Sequence, residues 1–263
     1  MEGLPGHPDH PSRRAHGRLV PTGDLRPRPG KGVQQFSFVD ALVAGLYEGA
    51  FSAADVSAAG DLGVGCGDAL DGELVLLDGR MVLCRADGTV QDVSPDERLP
   101  FAEVVAFEPT FTHDVAGLGE REFEDLIESL VPSNNLFYAL RLSATFDRMT
   151  VREAVRQQAP YRGLAEAVKD QRETTVAETS GTMLGFKGPD VFQGLSVADF
   201  HLHYLDQAGA FGGHVLDFDL VEGVVSMEAY STFVLRLPEI ESYLAAELDD
   251  ISADADIRAA EGS

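Results

Sequence analysis

The passage DFHLHYLDQAGAFGGHVLDF, residues 199–218, holds the side chains best suited to chemistry. In an extended strand, side chains alternate between faces, so His201 and His203 point the same way and Leu202 points the other. Asp206 to Gly213 carries the glycines of a turn, and His214 opens the return strand. A hairpin of this kind brings a third imidazole back opposite the first two. Three converging imidazoles are a donor set for Zn²⁺, at N–Zn distances of about 2.0–2.1 Å, and three protein ligands leave a position open for water or substrate. Nitrogen donors with carboxylates nearby put Zn²⁺ first, with Fe²⁺, Mn²⁺ or Co²⁺ as alternatives. Outside the first 33 residues the chain has four histidines, and three of them fall within this one stretch of fourteen. Such clustering points to a shared ligand.

These residues need elements to position them. The spacing of Phe38, Leu42 and Leu46 predicts a helix just after Phe36. The Gly-rich run AAGDLGVGCGDALDGE lacks the Lys-Ser/Thr of a P-loop and the spacing of a dinucleotide fingerprint, so its glycines read as turns between short strands. Glu73 to Val93 reads as a β-meander, because Asp78-Gly79 and Asp87-Gly88 are strong hairpin signals. Phe123, Leu126, Ile127, Leu130 and Val131 recur at helical spacing, and Pro132 closes that helix. LFYALRLSATFDRMTVR reads as a pair of strands, YRGLAEAVKDQ as a short helix, and TTVAETSGTMLGF as a further strand. Beyond the histidines, DLVEGVVSMEAY and STFVLRLP read as separate strands. Strands dominate without regular βαβ alternation. The expected fold is therefore α+β, with mixed or antiparallel sheets and a few packing helices.

Composition bounds the partners. Residues 1–33 are rich in Pro, Gly, His and Arg without an apolar period, and are expected to form a disordered tail ahead of a domain spanning 34–263. The chain carries 44 acidic against 20 basic residues, a net charge of −24. The first 33 residues hold six basic and three acidic side chains, +3, which leaves the body at −24 − 3 = −27. A body so acidic repels phosphate backbones and anionic lipid, so nucleic acid and membranes are poor partners. No run approaches the ~20 apolar residues of a bilayer-crossing helix. The first residues lack the apolar centre of a signal peptide. Cys66 and Cys84 are the only cysteines, and two lone thiols suit a reducing cytoplasm.

Seven blocks resemble the acetolactate decarboxylase family, in that family's order, from about Gln35 to the last residue. They are QFSFVDALVAGLYEG, GDLGVGCGDALDGEL, LPFAEVVAFEP, NNLFYALRLSATFDRMTVR, GTMLGFKGP, FHLHYLDQAGAFGGHVLDF and DADIRAAE. The resemblance implies that His201, His203 and His214 are the metal ligands and that Glu73 and Arg152 are catalytic. It implies that Glu261 belongs to a C-terminal segment folding back over the metal. It also implies mixed sheets in two lobes, the metal in the C-terminal one, and a homodimer. The chain departs from the family at Ala59, where a His-Gly-Asp-Phe-Gly run usually begins. It departs again at Cys66, in place of a pocket threonine, and at Gly209, in place of an arginine.

The implied reaction is non-oxidative decarboxylation of (S)-2-acetolactate to (R)-acetoin and CO₂ through a metal-stabilised enediolate. Arg152 would supply fixed positive charge, and Glu73 the proton that sets the new stereocentre. No organic cofactor is implied, in keeping with the missing nucleotide motifs. The competing reading is a non-catalytic binding module, the plant and prokaryotic conserved domain found with AT-hooks. It carries a similar His-x-His before Gly-Gly-His, and RPRPGK in the tail has a comparable basic, Pro-rich character. That domain is about half this length, and a strongly acidic body is ill-suited to DNA.

Overall fold

The structure is a computed structural model, and it describes residues 22–248. The strands, in chain order, are β1 (Thr22–Gly23), β2 (Val33–Phe36), β3 (Phe51–Ser52), β4 (Leu62–Cys66) and β5 (Glu73–Leu77). They continue as β6 (Arg80–Cys84), β7 (Val90–Asp92), β8 (Arg98–Leu99), β9 (Phe101–Val105) and β10 (Phe111–Gly119). The last five are β11 (Phe137–Glu153), β12 (Arg172–Gly188), β13 (Asp199–Asp206), β14 (Gly212–Tyr230) and β15 (Phe233–Arg236). Five α-helices are described: α1 (Val39–Val43), α2 (Ala53–Ala59), α3 (Glu120–Leu130), α4 (Leu164–Ala167) and α5 (Glu241–Leu244).

Two large sheets result, and the α+β expectation holds. One runs β15-β2-β9-β4-β5-β6-β7 and is mixed, because β15 lies parallel to β2. The other runs β1-β10-β14-β11-β12-β13 and is antiparallel, and β13 pairs again with β14. That extra pairing closes β11, β12, β13 and β14 into a ring. It works because β14 is 19 residues long. Its start pairs with β13, its later part pairs with β10, and β11 runs along its other edge. Closing the ring covers backbone groups that an open edge would expose.

The apolar side chains sort into layers by strand alternation. Phe146, Tyr204, Phe218, Leu202 and Val215 fill the inside of the ring, where Phe123 and Ile127 of α3 also pack. Their outward neighbours, among them Leu184, Phe186 and Leu205, meet Val64, Val75, Val82 and Cys84 of the mixed sheet. Leu74, Leu76 and Met81 face the far side of that sheet, under Val56 of α2. Alternation along β5 therefore turns Glu73 toward the gap between the two sheets.

Several elements follow their local signals. The meander forms as β5, β6 and β7, and the β5–β6 turn places Asp78 and Gly79 at φ +52° and +79°, the left-handed pair a two-residue hairpin requires. α3 buries Phe123 and Ile127, and Glu122 accepts a hydrogen bond from the Gly119 amide at 2.8 Å, closing the helix start.

Others differ from expectation. LFYALRLSATFDRMTVR is one strand of 17 residues, not two. Its polar FDRM stretch looks like a turn, but register shifts near Phe146 and Val151 let the ladder absorb it. The histidine-bearing return strand and DLVEGVVSMEAY are likewise a single strand, β14. The first helix is short and ends at Val43, because Gly45 turns left-handed at φ +85°. Residues 22–33, expected to belong to the tail, pack on the body. Thr22–Gly23 pairs with β10, Leu25 enters the ring core, and Arg28 engages the buried Glu228. Residues 1–21 lie outside the described residues. Among the described residues, no helix is long and apolar enough to cross a membrane.

Candidate active site and metal centre

Register alone brings the key side chains together. His203 pairs with His214 across β13–β14, and His214 pairs with Arg152 across β14–β11. Directly opposed residues share a face, so His203, His214 and Arg152 form one cross-strand row. His201 lies two residues before His203, on that same face. The row looks out from the ring toward the mixed sheet, where Glu73 looks back.

Two glycines permit this packing. A Cβ at Gly185 would stand 2.0 Å from the His201 carbonyl oxygen, and one at Gly213 would stand 2.5 Å from that of Arg152. Both have positive φ, +153° and +157°, which side-chain-bearing residues rarely adopt. The strands carrying a metal candidate and the arginine can therefore approach more closely than ordinary side chains would allow.

All three imidazoles are buried, and their ligand atoms lie within 4.8 Å of one another. His203 Nδ1 lies 2.8 Å from the Leu74 carbonyl oxygen, a lone acceptor. Nδ1 must therefore carry the proton and donate it, which leaves the Nε2 lone pair free. Nε2 of His203 and Nδ1 of His201 are buried nitrogens without a hydrogen-bond partner. Stranding buried polar atoms is costly, and a shared cation accounts for both. Burial pushes His201 down to about 3, and the Arg152 guanidinium adds to the effect. Burial likewise holds His203 well below the usual imidazole range, with His201 contributing. Both rings are neutral in ordinary buffers, the form that binds a metal. The cluster fits a metal ion.

Glu73 and Arg152, placed on the list of candidates by family resemblance, are both buried and both line the same cavity as His201 and His214. Glu73 Oε2 lies 3.7 Å from His203 Nε2. The Arg152 guanidinium reaches Gln171 Oε1 at 3.4 Å, and Gln171 in turn donates to Glu173 at 2.8 Å. The rest of the wall is mainly apolar: Val39 and Leu42 from α1, Phe101 from β9, Leu164 and Ala167 from α4, and Val197. Glu73 stands between the two cysteines, paired with Cys66 on β4 and Cys84 on β6. Burial pushes the Cys66 thiol well up and the Cys84 thiol to about 12, so both are neutral neighbours of the carboxylate. Glu261 lies outside the described residues.

Three participants had no readable signal in the sequence. The Leu74 carbonyl that orients His203 is backbone. Gln171 looks like the polar end of a short helix. The apolar wall joins α1 and α4, which stand more than a hundred residues apart in the chain.

The family model for Alpha-acetolactate decarboxylase matches residues 33–250. The chain is 39% identical over 217 residues to the Alpha-acetolactate decarboxylase of Methylococcus capsulatus, covering 82% of this chain and 84% of that one. Identity to the Bacillus subtilis strain 168 protein of the same name is 35% over 237 residues, covering 90% and 93%. The crystal structure of alpha-acetolactate decarboxylase from that strain matches with a TM-score of 0.86 at 36% identity, covering 88% of this chain and 100% of the other. A Staphylococcus aureus structure, described as a protein of unknown function similar to alpha-acetolactate decarboxylase, matches with a TM-score of 0.85 at 31% identity, covering 87% and 99%. On sequence and fold together, the chain belongs to the alpha-acetolactate decarboxylase family and so stands among the carboxy-lyases.

Proposed function

We propose that this chain decarboxylates (S)-2-acetolactate without oxidation, releasing CO₂ and (R)-acetoin, with Zn²⁺ or a similar divalent cation held by His201, His203 and His214. One observation carries the reading. Buried imidazoles, a carboxylate and a guanidinium, contributed by both sheets, converge on one largely apolar cavity. When bound, the cation supplies Lewis-acid stabilisation of negative charge on substrate oxygens.

The protein groups divide the remaining work. Departure of CO₂ leaves an electron pair, which the adjacent ketone takes up as an enediolate. The Arg152 guanidinium supplies a fixed, forked cation. It holds the substrate carboxylate before the bond breaks and counters oxyanion charge afterwards, and the apolar wall strengthens both effects by excluding water. Glu73, entering the step as the carboxylic acid, delivers its proton to one face of the enediolate, which sets the stereocentre of the product, and takes a proton back from solvent before the next turnover. Proton transfer by a positioned side chain is typically worth about 10²–10⁴ in rate. The neutral thiols on either side of Glu73 crowd it without competing for charge. Glu261, the further acid that the family resemblance implies, lies outside the described residues. We place the enzyme in a reducing cytoplasm as a homodimer.

The test is direct. Purified protein incubated with racemic acetolactate should release acetoin, measured colorimetrically. Chelation should abolish the release, and added Zn²⁺ should restore it. Metal-loaded protein that releases no acetoin overturns the assignment.

A further inference from the structure

The mixed sheet buries an acid that the reaction does not use. Glu103 on β9 is 1% exposed, and Gln35, its direct partner on β2, is 0% exposed. Opposed residues of this kind share a face, with Cβ atoms roughly 4.5–5.5 Å apart. Both side chains reach the same dipeptide. Gln35 Nε2 donates to the Leu195 carbonyl at 2.6 Å, and Ser196 Oγ donates to Glu103 Oε2 at 3.1 Å. The Gln35 oxygen Oε1 and the remaining Glu103 oxygen Oε1 are buried without a hydrogen-bond partner. A carboxylate and an amide oxygen side by side repel, and native interiors rarely strand two acceptors. One proton satisfies both.

We propose that Glu103 is kept as a neutral carboxylic acid whose Oε1–H donates to Gln35 Oε1, and that this bond fixes the two side chains which hold the Gln193–Ala198 segment on the mixed sheet through Leu195 and Ser196. That segment carries Val197 into the cavity wall and runs through Asp199 into β13, which presents His201. Within the segment lie a bridge between Gln193 and Ser196 and a hydrogen bond from the Ala198 amide to the Gln193 side chain at 2.9 Å, and backbone bonds join it to the Phe192 carbonyl and to the Val39 and Asp40 amides of α1. Glu103 and Gln35 are therefore positioning residues that touch neither substrate nor metal.

The surroundings favour the neutral acid. β2 presents Gln35 and β4 presents Val64, while the latched segment presents Ser196. The nearest charged group on α1, Asp40, lies against Gly194 and is itself an acid. No cation faces Glu103 from these elements. Burial raises its carboxyl to about 8, with the Ser196 hydroxyl pulling the other way. A folded-state value raised above the ordinary 4.5 gives stability that is full below about pH 4.5 and gone once pH has risen through about 8.

Glu103→Gln tests the latch, because the amide donates to Gln35 and accepts from Ser196 but cannot titrate. Glu103→Leu keeps similar volume and makes neither bond. In the full-length, metal-loaded protein, the infrared difference between wild type and Glu103→Gln should contain the carbonyl band of a protonated carboxyl at neutral pH. That band should vanish above about pH 8. At neutral pH, Glu103→Gln should keep kcat and KM within about two-fold of wild type, and its KM should stay flat where that of wild type rises several-fold in alkali. Glu103→Leu should raise KM at least about five-fold at every pH with metal content unchanged. Absence of the carboxyl band overturns the proposal, as does an alkaline rise in KM that Glu103→Gln shares in full.

Discussion

The three histidines make different demands on their surroundings. His203 is oriented by a backbone carbonyl from the opposite sheet, whereas His201 and His214 take their positions from the register of β13 and β14. His203→Ala therefore removes a proposed metal ligand together with the bond that ties the two sheets at Leu74. Elemental analysis should find about one divalent metal per wild-type chain and none retained by the variant. Glu73→Gln poses a separate question, since the amide matches the carboxylate in shape but cannot deliver a proton. Metal content should persist while turnover falls by about 10²–10⁴, and turnover at the wild-type rate would transfer the proton-donor role to another group. The types and spacing of the histidines were legible in the chain. Glu73 was legible only through family resemblance, because an acid opening a strand usually faces solvent. What makes it unusual is its burial between Cys66 and Cys84.

Strands and turns decide whether those side chains meet. β11 and β14 stay continuous for 17 and 19 residues, and each carries one site residue near the end where the ring closes. Local pattern divided both segments, because polar residues at a bulge resemble the punctuation between two strands. Only pairing with neighbours reveals that the ladder resumes. Gly185 and Gly213 make the closure possible, so Gly213→Val should force β14 away from β11. A lower melting temperature and reduced metal occupancy are expected together. Occupancy unchanged in a destabilised variant would show that the imidazoles tolerate the displacement.

Taken as one body, the molecule holds its chain more fully than composition suggests. The basic, Pro-rich lead-in ends earlier than residue 33, because Leu25 finds the ring core and Arg28 finds Glu228. Glu228 is 1% exposed and also accepts from Tyr230 and from the Glu108 amide, both at 2.7 Å. Leu25→Ala should cost about 2–5 kcal/mol in denaturant unfolding, as buried leucines do. A negligible loss would mean that this stretch lies loosely on the body. At the other end, removal of residues 258–263 should leave folding intact and lower acetoin release at least about ten-fold, if the Glu261 carboxylate caps the metal. Release at the wild-type rate would reduce Glu261 to a solvated charge.

The chain by itself settled what depends on neighbours in sequence. The meander follows from Asp-Gly turns, the α3 helix from apolar spacing, and the shared face of His201 and His203 from strand alternation. The tertiary structure decided everything that depends on which strands become neighbours. Ring closure set His214 beside Arg152, and the stacking of the two sheets brought the Leu74 carbonyl to His203 and turned Glu73 inward. It also paired Gln35 with Glu103 and drew the Pro-rich lead-in onto the core. The physical reason is the same in each case. A polar side chain reads as exposed until long-range packing removes its water, and only then must another buried group, or a bound ion, satisfy it.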